Sequence, residues 1–298
     1  MSWFEVRLQV SPEAGGGLRE AIVNRLFELG AEGVDESQAA VSGEIVGFFD
    51  EKAMSTVPGE LKEYLNSLGE LFPESPSIEL RINTLPDENW SEKYKEFFEP
   101  QPMGSRFYLL PVWRRDAPVP ERRIPLLMEP GQAFGTGLHP TTQLCVGLIE
   151  RALKAHPRPE KVRMLDVGTG TGILSVVAAK LGVTSITATD IDPLAVEASK
   201  DNFVLNSCAD IEVSDTPITK LSGPFDLIVS NILLETHKEL WPSYARLLRP
   251  GGQIILSGLL TQQKEDIDRL VQEDGFLLEL AESRQEWLAL LYVSGMGS

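Results

Sequence analysis

Residues 162–178 read VRMLDVGTGTGILSVVA. An apolar stretch ending at Asp166 and Val167 passes through Gly168, Gly170 and Gly172 and resumes as a second apolar stretch from Ile173 to Ala178. Strand, glycine turn and helix in that order form the opening step of a parallel β/α sheet. Glycines at the strand's carboxyl end let the backbone approach a ligand closely beside the topological switch point. Position 173 is Ile, where the dinucleotide-binding fingerprint places its third glycine. The spacing therefore departs from that of a hydride-transfer enzyme.

Outward from this turn the pattern alternates. It predicts helix 141–154, strand 162–167, helix 172–181, strand 185–189, helix 193–206, strand 211–214, strand 225–230, helix 235–248, strand 253–258 and helix 261–272. Two closing strands follow, FLLEL and WLALLYV. The expected fold is α/β, a Rossmann-like seven-stranded mostly parallel sheet covered on both faces, with the last strand antiparallel because its loop is short. RFYLLPVW (106–113) and IPLLM (124–128) read as extended segments around a solvated hairpin end carrying Arg114, Arg115, Arg122 and Arg123.

Residues 1–85 carry a different pattern: strand 4–10, a helix through Leu18, Ile22, Leu26 and Leu29 stopped by Gly30, an extended segment over 39–49, helix 60–71 and a strand at Ile78–Ile82. This is a small α+β domain without His, Cys or a phosphate-type loop. Residues 86–102, with Trp90, Tyr94, Phe97 and Phe98 ahead of Pro100 and Pro102, read as a helical linker, which leaves 103–298 as the second domain.

A chain of 298 residues has room for two domains. Its net charge of −17 gives no basic field for phosphate backbones, so no direct nucleic-acid binding is expected. Residues 1–100 hold 8 basic and 20 acidic residues, a net of −12, which favours a basic partner as well as solubility. Cys145 and Cys208 cannot make a disulfide framework or a four-thiolate site, and both are expected to be inert, with no metal. No signal-like or membrane-length apolar run is visible, so the reading is a cytoplasmic monomer that neither spans nor binds a membrane.

Besides Gly168 and Gly170, four positions are site candidates. Asp190 ends the second strand, 22 residues past Gly168, where a carboxylate accepts ribose hydroxyls; Asp192 is the better helix cap. Asn231, in SNIL (230–233), ends the strand FDLIVS, with helix capping as its plainer use. Thr142 opens a helix after EPGQAFGTGLHPTT, where Gly131, Gly135 and Gly137 make a pliable loop; capping is the alternative for Thr141 and Thr142. His139 lies in that loop, as a structural hydrogen-bonding group or a proton acceptor.

LDVGTGTGILSVVA, ATDIDPLAVEASKDNFVLN and SNIL resemble the motifs of class I S-adenosylmethionine-dependent methyltransferases. With EPGQAFGTGLHPTTQLC in front, and NWSEKYKEFFEP and PVW before it, the chain resembles the ribosomal protein L11 methyltransferase family, PrmA, over nearly its whole length. The resemblance implies a substrate-recognition domain, a linker and a catalytic domain. It also implies methylation of the α-amine and lysine ε-amines of one large-subunit ribosomal protein, with S-adenosyl-L-methionine as cofactor. Cofactor contacts carried over are Thr142, Gly168, Asp190 and Asn231, with Gly170 in the same loop; Asn231 and His139 are placed near the amine. The alternatives are a related protein lysine methyltransferase with another protein substrate, a dehydrogenase, disfavoured by Ile173, and a non-catalytic cofactor-binding scaffold.

Overall fold

The computed structural model describes residues 3–11, 16–31, 33–35, 42–50, 53–71, 78–85, 98–129 and 137–295. The chain divides into two compact units, Met1–Phe98 and Glu99–Ser298.

In the first unit, β1 (Trp3–Gln9), α1 (Gly16–Glu28), β2 (Gly33–Asp35), β3 (Glu44–Asp50), α2 (Val57–Leu71) and β4 (Glu79–Leu85) build an antiparallel sheet in the order β2-β3-β1-β4. Val6 and Leu8 face Leu18, Ile22 and Leu26 of α1 in one core with Ile45, Phe49 and Leu61. Gly30 ends α1 as expected, with its N–H on the Phe27 carbonyl and the Ala31 N–H on the Leu26 carbonyl, the paired bonds of a Schellman cap. The sequence pattern misses β2, which has only three residues. With it the order is β-α-β-β-α-β, the ferredoxin-like arrangement. The start of the extended segment expected over 39–49 falls at 39–41, outside the described residues.

Of the linker expected over 86–102, residues 86–97, with Trp90, Tyr94 and Phe97, lie outside the described residues, as do Gly131 and Gly135. Gln101–Met103 is already a strand, β5, which pairs with β6 (Phe107–Pro111). The hairpin end expected between residues 113 and 124 is corrected: β6 pairs in parallel with β7 (Ile124–Met128). Parallel pairing requires a crossover, and 112–123 is long enough to make one. Arg123 is half-buried and donates to the carbonyls of Gly104 and Phe107.

The large sheet contains β8 (Arg163–Val167), β9 (Ser185–Thr189), β10 (Glu212–Ser214), β11 (Phe225–Asn231), β12 (Leu248–Leu260), β13 (Leu277–Arg284) and β14 (Trp287–Val293). Its order is β10-β9-β8-β11-β12-β14-β13, and only β14 runs against the others. The helices are α3 (Pro140–Lys154), α4 (Ile173–Lys180), α5 (Pro193–Leu205), α6 (Leu234–Leu247) and α7 (Lys264–Glu273). Strand order steps one way through α4 and α5 and the other way through α6, so right-handed crossovers put them on opposite faces. Leu234, Trp241, Tyr244 and Leu247 form the buried stripe of α6 against Leu165, Ile228 and Ile254. Among the described residues no helix is long and apolar enough to cross a membrane.

Two buried asparagines at the end of α5 fasten the segment that leads into α3. Asn206 accepts from the Leu127 N–H at 2.9 Å and donates to its carbonyl at 2.7 Å. Asn202 accepts from the Glu129 N–H at 2.9 Å and donates to the Thr171 carbonyl at 3.0 Å, inside the glycine turn. Asn206→Ala strips both partners from Leu127 and should lower stability by about 1–3 kcal/mol. The measurement is the urea midpoint, and no shift would show that the clip contributes nothing.

Candidate functional site

Hydrogen-bond register puts three of the expected residues side by side. Val167 of β8 pairs with Thr189 on one side and Ser230 on the other, so the next residues, Gly168, Asp190 and Asn231, lie level at the carboxyl edge. Strand order turns back between β8 and β11, so this edge is the switch point where open sheets bind ligands. The N–H groups of Gly168 and Thr169 both donate to the Thr189 carbonyl, which draws the glycine turn over β9. Gly168, Gly170 and Gly172 have φ of 69°, 53° and 80°, a left-handed backbone that side chains oppose.

Asp190 is half-buried, and its two oxygens accept from Gly170 N–H at 2.9 Å and Asp192 N–H at 3.1 Å. A carboxylate has about four acceptor positions, so each oxygen retains one. The cap of α5 is Asp192, which accepts from Leu194 N–H at 2.9 Å. Asn231 does not cap α6, whose N-cap is Leu233 with no side-chain bond; its Oδ1 is buried without a partner.

Thr142 likewise is buried with Oγ1 unpartnered, in the first turn of α3. That turn reaches the same edge, because His139 packs on Trp287 with centroids 4.6 Å apart, and Trp287 pairs with Leu260 at the end of β12. His139 is the N-cap of α3: Nδ1 lies 3.3 Å from the Thr141 N–H and 2.7 Å from its hydroxyl. Burial lowers its pKa to about 4, so the ring is neutral. Cys145 is buried, its thiol pushed up to about 12 by burial, and among the described residues no acid, His or Cys cluster could hold a metal.

The sequence model of the ribosomal protein L11 methyltransferase family (PrmA) matches residues 2–294. The chain belongs to that family. It is 34% identical over 311 residues to the ribosomal protein L11 methyltransferase of Pelobacter propionicus, covering 97% of each chain. It is 32% identical to that of Hydrogenovibrio crunogenus, covering both chains fully at 100%. The crystal structure of the ribosomal protein L11 methylase from Lactobacillus delbrueckii subsp. bulgaricus is 34% identical, with TM-score 0.61, and covers 66% of this chain and 100% of that one. This family member is therefore a class I methyltransferase whose cofactor is S-adenosylmethionine. The residues fit such a group: two unpartnered buried polar atoms, a carboxylate with free acceptor positions and a turn with glycine at 168, 170 and 172 meet at one edge.

Asp166 belongs to this edge although its position in the sequence pattern assigns it no role. The signal was present, an acid inside an apolar strand directly ahead of the glycine turn. Oδ2 accepts from Thr169 Oγ1 at 2.8 Å and Ser175 Oγ at 2.7 Å, while buried Oδ1 has no partner. Burial raises its pKa from 3.8 to about 6, against the pull of the Ser175 and Thr169 hydroxyls. An acid with a raised folded-state value favours folding most below its unfolded pKa. Stability should fall by about 2–3 kcal/mol as pH rises from 4 to 6, then level off. Asp166→Asn should flatten that fall in denaturant titrations run at pH 4, 5, 6 and 7. An unchanged slope would assign it to other groups.

Proposed function

We propose that this family member transfers methyl groups from S-adenosylmethionine to the α-amine and lysine ε-amines of ribosomal protein L11, in the cytoplasm, as a monomer that contacts neither nucleic acid nor membrane directly. The observation that carries the site assignment is the pair of buried, unpartnered atoms, Thr142 Oγ1 and Asn231 Oδ1, at one carboxyl edge with the free positions of Asp190. Bound there, the cofactor supplies an activated methyl group. Asp190 would accept the ribose hydroxyls, Gly168 and Gly170 admit the backbone's close approach, and Thr142 donate to the carboxylate of the amino-acid portion.

The remaining demand is on the amine. An α-amine with a reference pKa of about 7.7–8.0 is readily neutral near pH 7.5, whereas a lysine at about 10.4 needs about 4 kcal/mol to lose its proton. Asn231 Oδ1, an acceptor without charge, would hold an amine N–H and leave the lone pair aimed at the methyl carbon. His139 is too weak a base to keep a lysine's proton. Being neutral, it also does not repel the arriving ammonium.

The first unit would serve recognition. Residues 1–100 carry a net of −12 and no His or Cys, which suits the capture of a basic protein by charge attraction. The division proposed is residues 1–85 for recognition, 86–102 as linker and 103–298 for catalysis.

Asp190→Ala should weaken S-adenosylmethionine binding roughly 10- to 100-fold, as expected for one charge-assisted group worth about 1.5–3 kcal/mol. Calorimetry reads this, and wild-type affinity would sink the assignment. A fragment starting at residue 99 should still bind the cofactor while losing most methyl incorporation into purified L11, followed by mass spectrometry of the labelled protein. Equal rates for fragment and full chain would place recognition in the second unit. Label appearing in another lysate protein and not in L11 would move the reading to a related lysine methyltransferase.

A further inference from the structure

We infer that His237 is a positioning residue for Asn231, acting through the Ser257 carbonyl; the inference rests on the proposed role of Asn231. The imidazole is fully buried in the first turns of α6, and its Nε2 lies 2.8 Å from the Ser257 oxygen. A carbonyl only accepts, so the ring proton resides on Nε2. Burial holds the pKa down to about 4, against the pull of the Ser257 and Ile232 backbone, so the group remains a neutral single donor through the physiological range.

The same Ser257 oxygen accepts the Ile232 N–H at 3.1 Å, and Ser257 is the register partner of Asn231 in β12. Two donors on one oxygen tie helix α6 and the residue after Asn231 to a single point of the sheet. Around that point the packing leaves no slack. The β12–β14 register shifts between Ser257 and Leu259, so a bulge turns Gly258 against the loop. A Cβ on Gly258 would lie 2.3 Å from the Ile232 oxygen, and one on Gly168 would lie 2.7 Å from Ile232 Cγ2. Ile232 is thus wedged between the glycine turn and the β12 bulge. No side chain caps α6 at Leu233, so at this end the helix is held to the sheet by the buried Leu234 side chain and by the His237 hydrogen bond to Ser257.

The test compares wild type, His237→Leu, His237→Gln and Asn231→Ala, and the double variant His237→Leu/Asn231→Ala, in kcat and KM for purified L11, with S-adenosylmethionine affinity by calorimetry. Gln carries its amide nitrogen to the place of Nε2. Its kcat should stay within about threefold of wild type. His237→Leu should lose about tenfold or more in kcat, with cofactor affinity changed less than about twofold. The double variant should be no slower than the slower single variant within about twofold, since both remove one function. Where the Leu variant does not fold, His237→Asn, whose amide stops short of Ser257, takes its place. The inference is overturned if the Leu or Asn variant keeps wild-type kcat, if Gln is as damaged as Leu, or if the losses multiply in the double variant. An unimpaired Asn231→Ala would instead overturn the reading of Asn231, and the inference with it. An impaired Asn231→Ala beside an unimpaired His237→Leu would overturn the inference alone.

Discussion

Backbone pairing of β9, β8 and β11 is the constraint from which the site follows. Because Thr189, Val167 and Ser230 are locked level with one another, the next residue of each strand must emerge at the same height. Those three residues then do different things. Gly168 turns the chain, Asp190 accepts hydrogen bonds and Asn231 presents an uncharged oxygen. The Asp190 carboxylate binds the turn back to its neighbour through Gly170, so the row is cross-linked above the sheet as well as within it.

The parallel sheet was legible in the sequence because its signals are local and repeated. Glycines at 168, 170 and 172, and buried runs such as LIVS and ALLY, identify strands wherever they fall in space. Asp190 and Asp192 could be told apart because capping has a fixed offset from the helix start. The rest was hidden for two reasons. The three residues of β2 are too few for any periodicity to show, and the parallel pairing of β6 with β7 is decided by partners far along the chain. Asp166 and His237 were readable as residue types, but their importance comes from burial and from which atoms are left unpaired, which no spacing reveals.

Those unpaired atoms oppose stability. An unpartnered hydroxyl on Thr142, an unpartnered amide oxygen on Asn231 and a half-satisfied buried carboxyl at Asp166 each oppose folding. They stand beside hydrophobic neighbours that are fully buried, such as Ile228, Ile254 and Leu256. A core of this quality tolerates a strip of unmet polar demand, and it is along that strip that a ligand has most to gain.

The asparagine clip on Leu127 and Glu129 has a consequence in time. Its two halves are 79 and 73 residues apart in sequence. At synthesis rates of about 5–20 residues per second, β7 would wait some 4–16 s on the ribosome before Asn202 and Asn206 exist to receive it. Throughout that interval β7 has β6 to pair with, but not the Asn206 amide that holds the Leu127 N–H and carbonyl in the folded chain. Slow codons or a chaperone acting between the synthesis of Met128 and Asn206 would therefore change the yield of folded protein more than the same intervention after Asn206.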